Sequence, residues 1–224
     1  MADSGSMRPG DARDILAGYV TGPAAATEAT AVALARAASA RAVVLVEGVS
    51  DQIAVETLAA RLGRDLTAAG VEVVPAGGAH GFGGYLRRFG PAGTGARLAG
   101  LYDAGEERVV RRGLASAGLP GPGPGQLADL ERLGFFACVP DLEGELIRAV
   151  CPSRITELFT AHGDLRAFRT IQRQPAWQGK DEAAQLRRFL GAGAQRKLRY
   201  ARLLTEALAL DQVPRPLAGL LAAV

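Results

Sequence analysis

Histidine and cysteine, which are frequent ligands of zinc, are scarce in this sequence. The 224 residues include two histidines and two cysteines. Cys138 and Cys151 do not form a CxxC pair. Because structural zinc sites and disulfide frameworks both need several such residues at regular spacings, the sequence indicates neither of them.

Long apolar runs are also missing from the chain. No apolar run approaches the length of a membrane span, and residues 1–10 lack the charged-then-apolar layout of a secretory signal. We therefore expect a cytoplasmic protein with no membrane partner. Apolar residues make up 48% of the chain and charged residues 22%, as in a globular domain of ordinary composition. The composition does not determine the oligomeric state, so the protein could be an oligomer.

Lysine is rare, and the basic residues are unevenly distributed. Of the 26 basic residues only Lys180 and Lys197 are lysines, and the formal net charge is +3. Residues 164–202 nevertheless carry ten basic side chains against three acidic ones. A local basic surface of this kind favours a polyanionic partner such as DNA, with the arginines contacting phosphates.

Short apolar segments alternate with helical periodicity in the first two thirds of the chain. The predicted strands span residues 42–46, 71–75, 98–102 and 134–139. The predicted helices between them span residues 50–63, 82–89 and 105–117, with Ser50 as the N-cap of the first. This alternation predicts an α/β fold with a parallel, Rossmann-like sheet flanked by helices.

The pattern of residues divides the whole chain into three predicted regions. Residues 1–25 are predicted to be a flexible N-terminus, residues 26–140 the α/β core, and residues 141–224 a helical C-terminal region that completes the site. The proline- and glycine-rich residues 120–125 predict a loop. The C-terminal helices are predicted at residues 142–150, 153–162, 164–172, 181–190 and 196–209, with a final segment beginning at Pro214.

Acidic residues follow three of the predicted strands. Glu47, Asp103 and the pair Asp141 and Glu143 lie at strand ends that share one edge of a parallel sheet. Asp51 comes about one helical turn after Glu47. Such carboxylates repel one another unless a cation lies among them, and hard oxygen ligands suit Mg²⁺ or Mn²⁺. The alternative is local: Asp141 caps a helix, and Asp51 and Glu143 occupy first helical turns.

Several of these segments resemble the Toprim domain of topoisomerases, primases and OLD (overcoming lysogenization defect) nucleases. The resemblance rests on Val46-Glu-Gly-Val-Ser-Asp51, the Gly77-Gly78 loop and Leu101-Tyr-Asp103. The OLD type also resembles this chain in the acidic Asp141-Leu-Glu143 and in Lys197. The similarity spans about residues 40–210.

The resemblance implies a metal-dependent DNA endonuclease or nickase that uses one or two Mg²⁺ or Mn²⁺ ions. It implies five metal ligands: Glu47, Asp51, Asp103, Asp141 and Glu143. It implies four catalytic residues: Glu47, Asp51, Asp103 and Lys197. In this scheme the lysine offsets charge that develops on the transition state.

Two departures from the family pattern keep alternatives open. Toprim domains carry Asp-x-Asp at the third strand, whereas this chain reads Asp103-Ala-Gly105-Glu106. The phosphate-binding loop of an ATPase is also missing from the sequence, so the resemblance is to an OLD Toprim domain without its ATPase domain, and a separate ATPase subunit is an open partner. The alternative function is a catalytically weak nucleic-acid-binding or regulatory module. Trp177 either stacks on a base or anchors its loop.

Overall fold

The computed structural model describes residues 15–20, 22, 24–119 and 127–224. Most of the predicted flexible N-terminus at residues 1–25 (residues 1–14, 21 and 23) and the predicted loop at residues 120–125 therefore lie outside the described residues. Within the described part, the strands are β1 (Ala42–Val46), β2 (Val71–Pro75), β3 (Arg97–Asp103) and β4 (Phe135–Cys138). They form one parallel sheet in the order β2-β1-β3-β4. The predicted parallel sheet is thus confirmed.

Helices cover both faces of this sheet. Those of the α/β part are α1 (Ala25–Ala37), α2 (Val49–Arg61), α3 (Phe82–Phe89), α4 (Glu107–Ser116) and α5 (Leu127–Arg132). Those of the C-terminal part are α6 (Leu142–Val150), α7 (Pro152–Ala161), α8 (Leu165–Gln172), α9 (Glu182–Leu190), α10 (Ala194–Ala207) and α11 (Arg215–Ala222). The helix α5 was not predicted, because its six residues are too few to show a helical period.

The predicted N-cap at Ser50 is wrong. Helix α2 begins at Val49 with Gly48 as its N-cap, and Ser50 is a buried residue inside the first turn. The serine signature failed because Asp51 supplies the local bond instead: its Oδ2 accepts the N–H of Gly48 at 2.8 Å. The side chain three positions after the N-cap therefore closes the helix start.

Strand β1 is buried on both faces, as its continuous apolar run predicts. Val44 and Val46 pack into a cluster that α2 and the C-terminal helices share. Val43 and Leu45 point to the other face, in a cluster with residues of α1, α3 and α4. The C-terminal helices thus pack directly on the sheet, while the predicted domain boundary at residue 140 stays a prediction.

Four aromatic rings hold the C-terminal helices together. Phe159 makes edge-to-face contacts with Phe168, Phe189 and Tyr200 at centroid distances of 5.1, 4.8 and 5.1 Å. These rings come from α7, α8, α9 and α10, and such pairs add about 0.5–1.5 kcal/mol each beyond area burial. Helix α10 also packs against α2. None of the described helices combines the length and apolar character that crossing a membrane requires.

Candidate metal centre

The candidate centre lies where the strand order reverses. From β1 the chain passes to β2 on one side and then returns to β3 on the other, and such a switch point opens a crevice at the carboxyl ends of the strands. Glu47 follows β1 and Asp103 ends β3. The Oε1 atom of Glu47 accepts the backbone N–H of Asp103 at 2.8 Å. Two acidic residues therefore border this crevice directly.

Asp51 contributes a buried carboxyl group at the start of α2. Its side chain is 8% exposed. Burial raises the pKa of Asp51 to about 7, although the charge of Lys197 opposes this rise. Glu143 and Glu47 push the pKa further upward. Since these two residues come from α6 and from the end of β1, Asp51 interacts with acidic groups of separate elements.

The other four carboxylates of the cluster all act on the pKa of Asp103. Its pKa is raised to about 7, first by burial and then by repulsion from Glu47, Asp51, Asp141 and Glu143. The structure therefore brings all five acidic residues of the sequence prediction to one edge of the sheet. Their mutual repulsion is the electrostatic environment that a bound cation relieves.

Glu47 has an additional acidic neighbour, Glu106. Burial raises the pKa of Glu47, the hydrogen bond from Asp103 opposes the rise, and repulsion from Glu106 adds to it. A short 3₁₀ turn, Ala104–Glu106, follows β3 and turns the chain back here. Glu106 thus carries a negative charge near the position that Gly105 leaves without a carboxylate.

Lys197 lies in the first turn of α10 and faces the same edge. Its Nζ is 3.1 Å from Oε1 of Glu143. Burial alone would lower the pKa of Lys197, but attraction from Glu143, Asp51 and Asp103 outweighs it and raises the pKa. The lysine therefore stays charged and is held against the acidic cluster, 54 residues along the chain from Glu143.

Asp141 has two structural contacts of its own. Its Oδ1 accepts the N–H of Gly144 at 2.8 Å, so Asp141 is the N-cap of α6. Its Oδ2 forms an ion pair with Arg187 of α9. The local alternative for Asp141 is therefore present in the structure, and its role as a metal ligand stays a prediction. The Arg187 contact could not be predicted from the sequence, because the two residues are 46 positions apart in the chain.

The donor set fits a hard divalent cation. Carboxylate oxygens are the ligands that Mg²⁺ and Mn²⁺ prefer. The pKa values of Asp51 and Asp103 are raised first by burial, and repulsion from neighbouring carboxylates adds to the rise. Across the described ranges, no three acidic, histidine or cysteine side chains are grouped tightly enough to hold an ion as they stand. In this arrangement Glu47 and Asp51 bond to backbone N–H groups, and Glu143 bonds to Lys197.

The basic segment is less available to phosphates than its charge suggests. Arg199 is paired with Asp164, and the Arg196 guanidinium lies over the ring of Phe189, 4.1 Å from its centre. These side chains stabilise the helical region. Among the described residues, several basic side chains of the segment have no ion-pair partner: Arg166, Arg169, Arg173, Lys180 and Arg188.

A parallel sheet flanked by helices, with acidic residues at its switch point, defines a Toprim-type α/β fold. Residues 40–103 match the family described as "Overcoming lysogenization defect protein-like, TOPRIM domain". This segment is therefore an OLD-like Toprim domain, and the predicted resemblance is confirmed. None of the curated proteins matches the chain.

Two solved structures extend the likeness in fold beyond residue 103. The C-terminal region of the Xanthomonas campestris pv. campestris OLD protein is 24% identical, with a TM-score of 0.64 over 83% of this chain and 92% of that one. The C-terminal region of the Burkholderia pseudomallei OLD protein is 20% identical, with a TM-score of 0.61 over 82% and 96%. The C-terminal helices thus belong to the same overall fold.

Proposed function

We propose that this protein is a divalent-metal-dependent endonuclease or nickase that cleaves phosphodiester bonds in DNA. One observation carries the proposal: acidic residues from β1, α2, β3 and α6 share the switch-point edge, and Lys197 is bound to one of them at 3.1 Å. The match of residues 40–103 to a Toprim domain supports it.

Four carboxylates are the proposed ligands of one or two Mg²⁺ or Mn²⁺ ions: Glu47, Asp51, Asp103 and Glu143. Asp141 is proposed to assist, and its bonds to α6 and to Arg187 hold the neighbouring Glu143 in place. When bound, a divalent ion supplies an activated water and stabilises the attacking and leaving oxygens of a phosphodiester. Glu47 and Asp103 also border the crevice in which a phosphate would lie.

Lys197 is proposed to bind a non-bridging phosphate oxygen as charge builds up in the transition state. Its side chain is 42% exposed, and its ammonium group is paired with Glu143 at the acidic edge. A positioned cation of this kind lowers the barrier most in a site that excludes water. Its bond to Glu143 holds the side chain before DNA binds.

The sequence around β3 bears on the number of ions. Gly105 stands where the family has a second aspartate, and Glu106 raises the pKa of Glu47 by repulsion. We propose that Glu106 partly compensates for the missing carboxylate. The first ion is proposed to be held by Glu47, Asp51 and Asp103. All three of these residues are present in this chain.

The alternative function is a catalytically weak nucleic-acid-binding or regulatory module that works with a separate ATPase. Gly105 favours this alternative, because it removes one carboxylate from the family pattern. Both solved neighbours are C-terminal regions of larger OLD proteins, which supports proposing a partner subunit for either function.

Incubation of the purified protein with supercoiled plasmid DNA separates the two functions. We expect nicking that requires Mg²⁺ or Mn²⁺ and disappears in Glu47→Ala. Glu157→Ala is the matched control, since this glutamate is exposed on α7 and pairs only with Arg154. Salt-sensitive DNA binding without nicking would refute the nuclease and support the binding module. Nicking that persists in Glu47→Ala would refute the proposed metal centre.

A further inference from the structure

A cleft of about 410 Å³ opens beside the candidate metal centre. Its lining includes Asp141, Glu143 and Lys197 of the centre together with Trp177, Arg187 and Arg188. The cleft is large enough for a small ligand. Since it shares Asp141, Glu143 and Lys197 with the metal centre, whatever occupies the cleft lies next to the proposed site of bond cleavage.

Trp177 is the only tryptophan of the chain, and it is only partly buried. It belongs to none of the hydrophobic clusters that the described residues form. A large aromatic side chain is normally buried in such a cluster. Trp177 instead exposes part of its ring to the cleft.

The backbone that carries Trp177 is nevertheless firmly placed. The Nε2 of Gln185 donates to the carbonyl oxygens of Trp177 at 2.8 Å and Lys180 at 3.2 Å. Gln172 in turn donates to Oε1 of Gln185 at 2.9 Å, and Gln185 is 8% exposed. A buried side chain thus fixes the loop to α9, so the backbone at Trp177 is held in place before any ligand arrives.

Arg188 adds a positive charge to the same cleft. It has no ion-pair partner among the described residues, whereas its neighbour Arg187 is held by Asp141. An aromatic face together with an unpaired guanidinium is the combination that binds single-stranded nucleic acid: the base stacks and the phosphate is bound electrostatically.

We propose that this cleft holds one unpaired nucleotide adjacent to the bond that is cut, with its base stacked on Trp177 and its phosphate bound by Arg188. This inference rests on the proposed function and names its substrate class: DNA that has a single-stranded segment at the cleavage site. Bases inside an intact duplex are stacked on each other, so they cannot offer a face to the indole without first being unstacked.

Fluorescence of the single tryptophan tests the proposal directly. The titration uses the Glu47→Ala variant in Mg²⁺, so that the DNA stays intact. We expect a twelve-nucleotide oligothymidylate to quench the emission, and an abasic strand of equal length and a blunt duplex to leave it nearly unchanged. Trp177→Ala should weaken oligothymidylate binding, measured by anisotropy of a labelled strand, by roughly 5–150-fold, the affinity equivalent of one base–aromatic stack. Trp177→Phe should restore most of it.

Matched arginine variants locate the phosphate contact. Arg188→Ala should weaken binding and flatten its salt dependence by about one unit of slope, whereas Arg112→Ala should have no effect, because Arg112 lies on α4 on the opposite face of the sheet. Equal quenching by the abasic strand or the duplex, or unchanged affinity of Trp177→Ala, would refute the stacking site. Quenching in the titration, combined with no nicking by the unsubstituted protein, would keep this site and refute the nuclease.

Discussion

Replacement of Asp51 by asparagine is expected to stabilise the metal-free protein at pH 8. Asp51 is 8% exposed and lies among acidic residues. Asparagine removes the negative charge but keeps an oxygen that can accept the N–H of Gly48, as Oδ2 of Asp51 does at 2.8 Å. The substitution therefore removes the charge while keeping the bond that closes the start of α2.

The magnitude follows from the pKa of Asp51 in the two states. Folding raises it from 3.8 to about 7, and at roughly 1.4 kcal/mol per pKa unit the ionised form costs up to about 4 kcal/mol of stability. The folded state binds more protons than the unfolded state between these values. The stabilising contribution of the protonated group is thus complete below pH 3.8 and is lost as the pH rises through about 7.

Thermal unfolding in EDTA between pH 5 and pH 8 measures this effect. The Tm of the unsubstituted protein should fall over this range, and the Asp51→Asn variant should show a flatter profile. For a chain of this length, about 2–4 °C accompanies each kcal/mol. The variant should consequently melt up to about 8–16 °C higher at pH 8.

Addition of Mg²⁺ should narrow the difference in Tm between the two proteins. The ion binds only the folded state and stabilises it by about 2.7 kcal/mol at a concentration one hundred times its Kd, and Asp51→Asn should lose much of this gain. Asp211→Asn, the same change at an exposed aspartate, serves as the control. An Asp51→Asn variant that melts below the unsubstituted protein in EDTA at pH 8 would refute the reasoning.

Two further substitutions address the centre itself. Gly105→Asp rebuilds the family's Asp-x-Asp, and since a Cβ at Gly105 would meet nothing within 4 Å, we expect a folded protein that binds Mn²⁺ more tightly, measured by calorimetry. Gly95→Asp, at a glycine with φ of +74°, should instead destabilise the fold. Unchanged Mn²⁺ affinity in Gly105→Asp would contradict a second ion site. Lys197→Met should lower the rate of plasmid nicking roughly 10²–10³-fold at saturating Mg²⁺, with DNA affinity nearly retained; a rate within about threefold of the unsubstituted protein would exclude the role of Lys197 in the transition state.

Strand and helix signals in this chain were local and could be interpreted from the sequence. The valine-rich run of β1 and the segment of β2 have the predicted bounds, 42–46 and 71–75, because buried parallel strands need continuous apolar residues. The bounds of α6, 142–150, were also predicted. Helix α5 was not predicted, because a six-residue helix is too short to show a helical period.

The acidic motifs at residues 47, 51, 103, 141 and 143 also came from the sequence alone, since in a parallel sheet the chain direction places all strand ends on one edge. The electrostatic coupling between these residues could not be predicted from the sequence. The raised pKa values of Asp51 and Asp103 depend on burial, which only the packing of α2, α6 and α10 against the sheet produces. The same packing brings Lys197 to Glu143.

Which arginines face solvent and which stabilise the protein was decided by the tertiary structure. The sequence shows one basic segment, yet Arg187 pairs with Asp141 and Arg199 with Asp164, 46 and 35 residues away. No local pattern encodes such partners, because their proximity arises from the association of separate helices. The sequence by itself determined the fold class and the acidic residues; the tertiary structure determined which charges meet, since Coulomb energies depend on distance and burial rather than on order in the chain.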